Sequence, residues 1–351
     1  MATLSRRALT VALAARQLLD ARAVLPAAEA VRRLTPLQAQ HAPAPYIALA
    51  ARLDGFAREH LEAALAERSV VKTTVMRNTL HLVAADDYPG YAQLARQARL
   101  RTWRKTYNHL NEADVVAELT AWFEQPRTNP EIRERVKRYP GVADNPWSPV
   151  MFARTLLPLV QLPPAGAWDD KRRAQFVADP RPLPEPDDAA ALVLERYLDA
   201  FGPASSADAA AWAGVAQRDL APGFARLGTV VHHDEDGREL HDLPGAPLPP
   251  EDTPLPPRLL AHWDQPLLAY KARDRIMPPE LAQHQLTLSG DPAVTVDGRV
   301  AARWSRRADA SAVELTIEPL TTIPRAARRV IEAEAERTGR LWECPVRVRW
   351  S

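Results

Sequence analysis

The sequence is poor in the residues that build disulfides and metal sites. Only one of its 351 residues, Cys344, is a cysteine. This excludes an intramolecular disulfide, a cysteine-rich zinc site and a CxxC redox pair. The nine histidines are scattered, and the adjacent pair His232-His233 lacks the i, i+4 spacing that puts two ligands on one helix face. We therefore expect no metal.

Long hydrophobic runs are also missing. No stretch of about 18 apolar residues could cross a bilayer. Near the N-terminus, the run ALTVALAA is soon broken by Arg16 and Asp20 and has no clean cleavage site. Its periodicity suits a core-facing helix over residues 4–20 better than a secretion signal. We expect no membrane contact and a cytoplasmic protein.

The sequence has no excess of charge of either sign. It has 45 basic and 44 acidic residues, for a formal net charge of +1. This balance does not exclude a nucleic-acid partner, because electrostatic binding depends on where the basic residues lie.

Proline is abundant, with 33 residues, and its clusters mark two linkers, 179–188 and 244–257. Before the second linker, a block of helices followed by a two-stranded ribbon occurs three times, which is the pattern of a winged helix. Arg77-Asn78 and Asp236-Gly237 are the ribbon turns of the first and third blocks.

The chain after the second linker alternates apolar and polar residues as strands do. A turn at Asp297-Gly298, a helix over 325–337 and a terminal strand VRVRW predict a small β-barrel. The expected fold class is α+β. The predicted domains are winged-helix modules at 1–90, 91–185 and 186–250 and a barrel at 255–351.

The most informative segment is LTPLQAQHAPAPY, residues 34–46. Pro36 excludes the helical region for the residue before it, and Pro43 and Pro45 are expected to prevent a helix just downstream. Gln38 and Gln40 then lie on extended chain, where residues i and i+2 point to the same side. Two carboxamides would therefore face one place.

These residues resemble a known family. LQAQHAPAPY, the early helix LSRRALTVALAARQ and RNTLHLVAADDY resemble the AlkZ/YcaQ family of bacterial DNA glycosylases, and RLLAHWDQPLLAYKARDRI and VTVDGRVAARW are similar to its C-terminal region. The Gln-apolar-Gln element matches the AlkZ subgroup, whereas YcaQ-like members carry Gln-apolar-Asp. Ala39, between the glutamines, is the smallest apolar choice.

The resemblance covers nearly the whole chain. It implies three tandem winged helices and a β-barrel in a C-shaped monomer, with double-stranded DNA in the concave face. It also implies that Gln38 and Gln40 are catalytic and that no cofactor is needed.

The chemistry of glutamine limits which damaged bases the protein could excise. Its amide does not ionise in the working range, but it can orient a water molecule through its carbonyl and donate from its NH₂ group. An N7-alkylated guanine already carries a positive charge and leaves as a neutral base, so no general acid is needed. Placing water and stabilising an oxocarbenium-like sugar are tasks for positioned dipoles. The alternative is that both amides only hydrogen-bond the proline-rich backbone.

Candidate DNA contacts are basic residues near turns and on one helix. RQARLRTWRK, residues 96–105, has five basic residues and no acid. The full candidate set is Arg77, Asn78, Arg96, Arg99, Arg101, Arg104, Lys105, Arg273, Arg275, Arg299, Arg303 and Arg306. Residues 96–105 could instead be an ordinary solvated helix face.

Three further assignments concern the core and the groove. His81 is either a core residue or a DNA contact. Trp304 is expected in the barrel core rather than as a wedge. The family resemblance implies a hairpin that enters the minor groove, and we assign it to part of 285–304.

The sequence thus predicts a monofunctional DNA glycosylase for bulky N7-alkylguanine adducts, with interstrand cross-links as an open question. The resemblance suggests self-resistance to a DNA-alkylating natural product, and the Ala-, Arg- and Pro-rich composition is typical of a high-GC actinobacterial genome. It also implies attack within the duplex rather than base flipping. The alternative is a non-catalytic winged-helix transcription regulator, which would usually be a symmetric dimer. Three unlike modules favour a monomer.

Overall fold

The protein is a mixed α+β structure in which helical layers cover three sheets. The computed structural model describes residues 3–143, 149–169, 172–284, 290–308 and 312–351. The helices within these ranges are Arg6–Arg16 (α1), Ala27–Leu34 (α2), Ala44–Arg52 (α3), Arg58–Ala66 (α4), Tyr88–Thr106 (α5), Glu112–Trp122 (α6), Asn129–Val136 (α7), Pro149–Leu156 (α8), Pro186–Phe201 (α9), Ser206–Ala213 (α10), Gln217–Leu227 (α11), Gln265–Leu268 (α12) and Arg325–Gly339 (α13). Short 3₁₀ turns lie at Met76–Asn78, Pro279–His284 and Arg340–Trp342.

The strands are Thr3–Leu4 (β1), Leu37–Gln38 (β2), Val70–Thr74 (β3), Leu80–Ala84 (β4), Arg127–Thr128 (β5), Leu159–Gln161 (β6), Gln175–Ala178 (β7), Val230–Asp234 (β8), Glu239–Asp242 (β9), Arg258–Leu259 (β10), Ala293–Val296 (β11), Arg299–Ala308 (β12), Val313–Pro319 (β13) and Val346–Trp350 (β14). They form a six-stranded sheet in the order β2-β4-β3-β6-β7-β5, a three-stranded sheet β1-β8-β9 and a five-stranded sheet β10-β11-β12-β13-β14.

The predicted ribbons are present as antiparallel hairpins. β3 pairs with β4 across the Arg77-Asn78 turn, where both residues have positive φ, and β8 pairs with β9 across a turn whose Gly237 has a φ of +75°. The hairpin turn at Asp297-Gly298 joins β11 to β12. The ribbon of the second block, β6 and β7, joins the first ribbon edge to edge through β3 and β6, so two blocks share one sheet.

Proline in the first turn or a side-chain cap explains where three helices begin. Pro186 opens α9 and Pro45 lies in the first turn of α3, where the missing N–H is not needed. The expectation that Pro43 and Pro45 prevent a helix just downstream is therefore wrong. α10 begins with a capping box, in which the Ser205 and Asp208 side chains satisfy each other's backbone N–H groups, and Gly214 ends it in the left-handed conformation.

Two of the hydrophobic cores cross the boundaries predicted between domains. One packs residues of α1, β3, β4 and α5 against α9, α10 and the segment 255–300. A second packs α2, α3 and α4 against the five-stranded sheet and α13. The residues of 100–176 have a core of their own. The first block is thus held between the third block and the C-terminal sheet.

The C-terminal sheet packs against α13 and is open in the described strands, since β10 and β14 form its two edges. Its inner face carries Trp304, which is 2 % exposed and donates from Nε1 to the carbonyl of Leu260 at 2.9 Å. Trp304 is therefore a core residue, as expected. Of the hairpin assigned to part of 285–304, residues 285–289 lie outside the described residues.

No helix among the described residues combines the length and the hydropathy that a bilayer span requires.

Candidate active site and nucleic-acid interface

The glutamine segment contains the edge strand β2, which follows α2 and pairs with β4. α2 ends at Leu34, and Thr35 has a φ of +68° rather than the extended conformation typical before proline. β2 follows and pairs antiparallel with β4, so that Gln38 lies opposite His81. The Ala39 N–H donates to the Leu80 carbonyl at 2.8 Å, which continues the pairing by one residue. The two glutamines flank this anchored residue.

The side chains of Gln38 and Gln40 bind each other. Gln38 Nε2 donates to Gln40 Oε1 at 2.7 Å, and the Gln40 backbone N–H donates to Gln38 Oε1 at 2.9 Å. Gln38 is 6 % exposed, whereas Gln40 is exposed. The buried amide therefore orients the exposed one, and each keeps at least one N–H or lone pair for a further partner. Among the described residues, no carboxylate bonds either amide.

On the neighbouring strand β4, opposite Gln38, His81 is fully buried. Its Nδ1 donates to the Thr79 carbonyl at 2.9 Å, while Nε2 has no partner. Burial, followed by the nearby Arg77 guanidinium, lowers the pKa of His81 to about 3, so the ring is neutral. The core alternative for His81 fits this placement.

One histidine that the sequence did not single out directly follows the pair in the chain, and a second packs against it. His41 directly follows Gln40, and its ring centroid is 4.3 Å from that of His262, in the loop between β10 and α12. The same loop carries Asp264, which forms a buried ion pair with Arg52 at 2.7 Å. No signal in one sequence joins positions 41 and 262; only the tertiary fold brings them together.

The basic residues of α5 have different environments. Arg99 is 8 % exposed and donates to the carbonyls of Thr74 and Val75 and to Asn78 Oδ1. Arg96 is half-buried, with its Nε donating to the Leu156 carbonyl. These two guanidinium groups therefore support the turn after β3 and the end of α8.

Three further cations of the same helix reach the surface. Arg101 forms a bidentate ion pair with Asp219, and Arg104 forms one with Glu112. Lys105 is exposed, and no ion pair to it occurs in the part of the chain that the structure describes. Lys105 is thus the exposed cation of this segment that has no carboxylate partner among the described residues.

The remaining candidates are spread over the first turn and the C-terminal region. Arg77 is largely buried and donates to the Trp212 carbonyl, and Arg275 is 4 % exposed and stacks on Tyr270. Burial lowers the pKa of Arg273, which is half-buried. Arg299 donates to the Asp274 carbonyl at 3.3 Å.

Arg303 and Arg306 point to opposite faces of β12. Arg303 forms a bidentate pair with Glu318 on the outer face. Arg306 is exposed, lies 5.0 Å from the Trp342 ring on the inner face, and is close enough to His41 and His262 to affect both. Arg306 is therefore the exposed candidate cation that lies near His41, the residue after Gln40.

The comparisons with known proteins agree on one family. A model of the DNA glycosylase AlkZ-like family matches residues 31–341. The chain belongs to this family. It is 27 % identical over 364 residues to an interstrand DNA cross-link repair glycosylase of Streptomyces sahachiroi, covering 95 % of this chain and 96 % of that protein. Its fold matches the solved structure of Streptomyces sahachiroi DNA glycosylase AlkZ with a TM-score of 0.81 at 23 % identity, covering 99 % and 100 % of the two chains.

This AlkZ-like protein is a DNA glycosylase, and the family resemblance inferred from its motifs is confirmed. The site of an AlkZ-like enzyme therefore has to be sought where a DNA backbone can approach. The exposed Gln40, the half-buried His41 and the exposed Arg306 meet that condition, whereas the guanidinium groups of Arg77, Arg99 and Arg275 are held inside the protein.

Proposed function

We propose that this AlkZ-like glycosylase hydrolyses the N-glycosidic bond of bulky, cationic N7-alkylguanine adducts in double-stranded DNA. The observation that carries the proposal is the pair of mutually bonded amides at Gln38 and Gln40, with no carboxylate bonded to them among the described residues. An amide cannot protonate a departing base, so the base must leave without a proton. N7-alkylguanine meets this condition because breaking the bond to C1′ neutralises its charge.

In the proposed mechanism, Gln38 fixes the amide plane of Gln40, and Gln40 holds the attacking water at the sugar. The carbonyl dipoles of the two amides stabilise the oxocarbenium-like C1′ as the base departs. Dipoles that are oriented before the reaction need no reorganisation, and losing one such group typically costs about 10²- to 10³-fold in rate. No cofactor takes part.

For the DNA interface we propose two kinds of basic residue. Arg306 and Lys105 contact phosphates directly, and Arg101, Arg104 and Arg303 do so by exchanging their carboxylate partners for phosphate. Arg77, Asn78, Arg96, Arg99, Arg273, Arg275 and Arg299 act through the loops that they hold. This division follows the exposure of each group and its hydrogen bonds.

The molecular arrangement that we propose keeps the three helix–ribbon blocks as winged helices at 1–90, 91–185 and 186–250. The curved sheet of 255–351 is the barrel, and the monomer clasps duplex DNA in a C shape. The shared cores support a fixed arrangement of the first block, the third block and the sheet.

The substrate range that we propose includes interstrand cross-links, because the relative from Streptomyces sahachiroi is named as a cross-link repair glycosylase and aligns along 95 % of this chain. A cross-linked base cannot swing out of the duplex, so attack would occur within the helix. Protection of a producing actinobacterium from its own alkylating product is the role we propose.

The test is a panel of duplexes, each with one defined lesion, incubated at equal enzyme and time and treated with alkali to reveal abasic sites. We expect cleavage at N7-alkylguanine and none at uracil or 8-oxoguanine, both neutral. A bulky adduct should react faster than N7-methylguanine, because contact with the adduct contributes about 25 cal/mol per Å² buried. Efficient uracil release would overturn the cationic-base mechanism. Equal rates for methyl and bulky adducts would contradict the proposed specialisation for the adduct of a natural product.

The same duplexes distinguish the enzyme from a transcription regulator. A glycosylase should bind unrelated undamaged sequences with nearly equal and weak affinity, whereas a regulator should prefer one operator by several kcal/mol. Sequence-specific binding without abasic-site formation would favour the regulator.

A further inference from the structure

Three arginines line a small cavity where the first and second blocks meet. The cavity has a volume of about 10 Å³ and lies between the end of β3, α5 and the link from α8 to β6. Its polar wall is formed by Thr74, Tyr88, Arg96, Arg99 and Arg154, and the rest of the wall is aliphatic. A space of this size holds one water molecule or one ion of similar size.

Two of these arginines have no carboxylate partner in the part of the chain that the structure describes. Arg99 is 8 % exposed and donates to the Asn78 side chain and to three backbone carbonyls. Arg154 donates to the Thr74 hydroxyl at 3.2 Å and to the Asn129 side chain at 3.4 Å, while its buried Nε–H has no partner among the described residues. The described acceptors of both guanidinium groups are therefore uncharged oxygens.

Two carboxylates close to the cavity are bonded by other arginines. Glu112 lies 3.6 Å from Nη2 of Arg96, but both of its oxygens accept hydrogen bonds from Arg104. Asp179, whose charge acts on the tyrosine of the cavity, is bonded through both oxygens by Arg181. Neither carboxylate lines the cavity, so its wall carries three cations and no anion among the described residues.

The three guanidinium groups keep their charge in this setting. Burial lowers the pKa of Arg154 to about 10, and burial, followed by the Arg154 guanidinium, lowers the pKa of Arg99 to about 10. Burial also lowers the pKa of Arg96. Arginine stays protonated at neutral pH, and buried like charges destabilise a fold unless an opposite charge compensates them.

We propose that this cavity binds one small monovalent inorganic anion of the size of chloride. The anion accepts hydrogen bonds from guanidinium N–H groups that the described protein oxygens do not bond, and it offsets the charge of the three arginines. Phosphate and sulfate are larger than the space, so the phosphates of DNA are not its occupant. Because Thr74 belongs to the first block and Arg154 to the second, the bound anion holds the two blocks together. This site goes beyond the proposed function and does not depend on it.

The test compares urea denaturation in sodium chloride and in sodium gluconate at pH 7 and one ionic strength. Gluconate is too large for the cavity. If chloride binds only the folded chain, the equilibrium constant of unfolding should fall about 11-fold at a chloride concentration ten times the dissociation constant. The second measurement uses crystals grown in sodium bromide, in which we expect an anomalous peak for bromide in the cavity beside Arg99 and Arg154.

Three variants complete the design. Arg154→Met, which keeps a long side chain but removes its charge, should lose most of the chloride response and the bromide peak. Arg154→Lys keeps a cation and should retain part of both. Arg133→Met removes an exposed arginine of α7 and is the matched control, so it should respond to chloride as the wild type does. General effects of the two salts act on all variants alike and cancel in the comparison.

Three outcomes would overturn the assignment. They are the same chloride response in Arg154→Met and the wild type, no bromide peak in the cavity of the wild type, and a bromide peak without a chloride response, which would mean an adventitious ion only. If Arg154→Met does not fold, the chloride response and the bromide peak of the wild type decide between the anion and a water molecule. None of these measurements uses excision, so their failure would leave the proposed function intact.

Discussion

At the scale of single residues, Arg52 and Asp264 show the clearest dependence of the fold on one contact. Arg52 is fully buried, with its two terminal nitrogens 2.7 and 3.1 Å from the carboxylate oxygens of Asp264. Removing one partner leaves a buried charge without its counter-charge. We expect Asp264→Ala to lower the free energy of unfolding by about 3–5 kcal/mol, measured by urea denaturation. Asp252→Ala, at an exposed position with no ion pair among the described residues, is the comparison. A loss below about 1 kcal/mol would show that the pair is solvated.

The buried His81 makes stability depend on pH. Its folded-state pKa, about 3, lies below the ordinary value of 6.5. The unfolded chain therefore binds a proton below pH 6.5 that the folded chain refuses, and stability falls as the pH decreases from 6.5 towards 3. The expected slope from this group is about 1.4 kcal/mol per pH unit. Replacing His81 with Leu should lower the slope of unfolding free energy against pH by the contribution of one proton. Urea denaturation between pH 4 and 7 measures this slope. An unchanged slope would mean that His81 is protonated in the fold.

At the scale of elements, α5 carries two cations with different expected roles, the buried Arg99 and the exposed Lys105. Arg99→Lys cannot keep the hydrogen bonds to Thr74, Val75 and Asn78. Each unmade bond to a buried group costs about 1–3 kcal/mol, so we expect the free energy of unfolding, measured by urea denaturation, to fall by about 2 kcal/mol. Lys105→Ala should leave stability unchanged.

For DNA binding, we expect the effect in Lys105→Ala. Lys105→Ala should flatten the slope of log K against log salt by about 0.9, the value for one lost phosphate contact. Titration of an undamaged duplex from 50 to 200 mM salt measures it. The same slope in Lys105→Ala and the wild type would place Lys105 away from the duplex.

These elements also show what the sequence could predict. The helices within 4–20 and at 325–337, the three ribbons and the turns at Arg77-Asn78, Asp236-Gly237 and Asp297-Gly298 follow from local pattern, and the structure confirms them. Local pattern also placed Gln38 and Gln40 on extended chain. It misjudged Pro45, because proline is excluded from the interior of a helix but not from its first turn.

Pairs that are distant in sequence could not be predicted. Arg99 reads as one basic residue among five, but its partners are carbonyls 24 and 25 residues away. His41 and His262 meet only because the loop after β10 folds over the first block. Charge in a sequence does not reveal whether a cation is already neutralised by a partner.

At the scale of the whole molecule, the shared cores predict that the first block and the C-terminal sheet unfold together. Truncation after residue 250 removes the sheet and α13 from a core that also contains α2, α3 and α4. We expect the 1–250 fragment to lack the cooperative transition of the full chain, observed by circular dichroism. A fragment with the helix content and midpoint of the full chain would show that 1–250 folds alone.

In the proposed mechanism, Gln38 and Gln40 perform the hydrolysis. The most direct measurement is the single-turnover rate of excision of one bulky N7-alkylguanine from a defined duplex by the wild type, Gln38→Ala and Gln40→Ala. Each variant should be slower by about 10²-fold or more, the cost of losing a positioned dipole. The unfolding midpoint and duplex affinity should be close to those of the wild type. Excision at the wild-type rate by either variant would show that the amide it lacks takes no part in the hydrolysis.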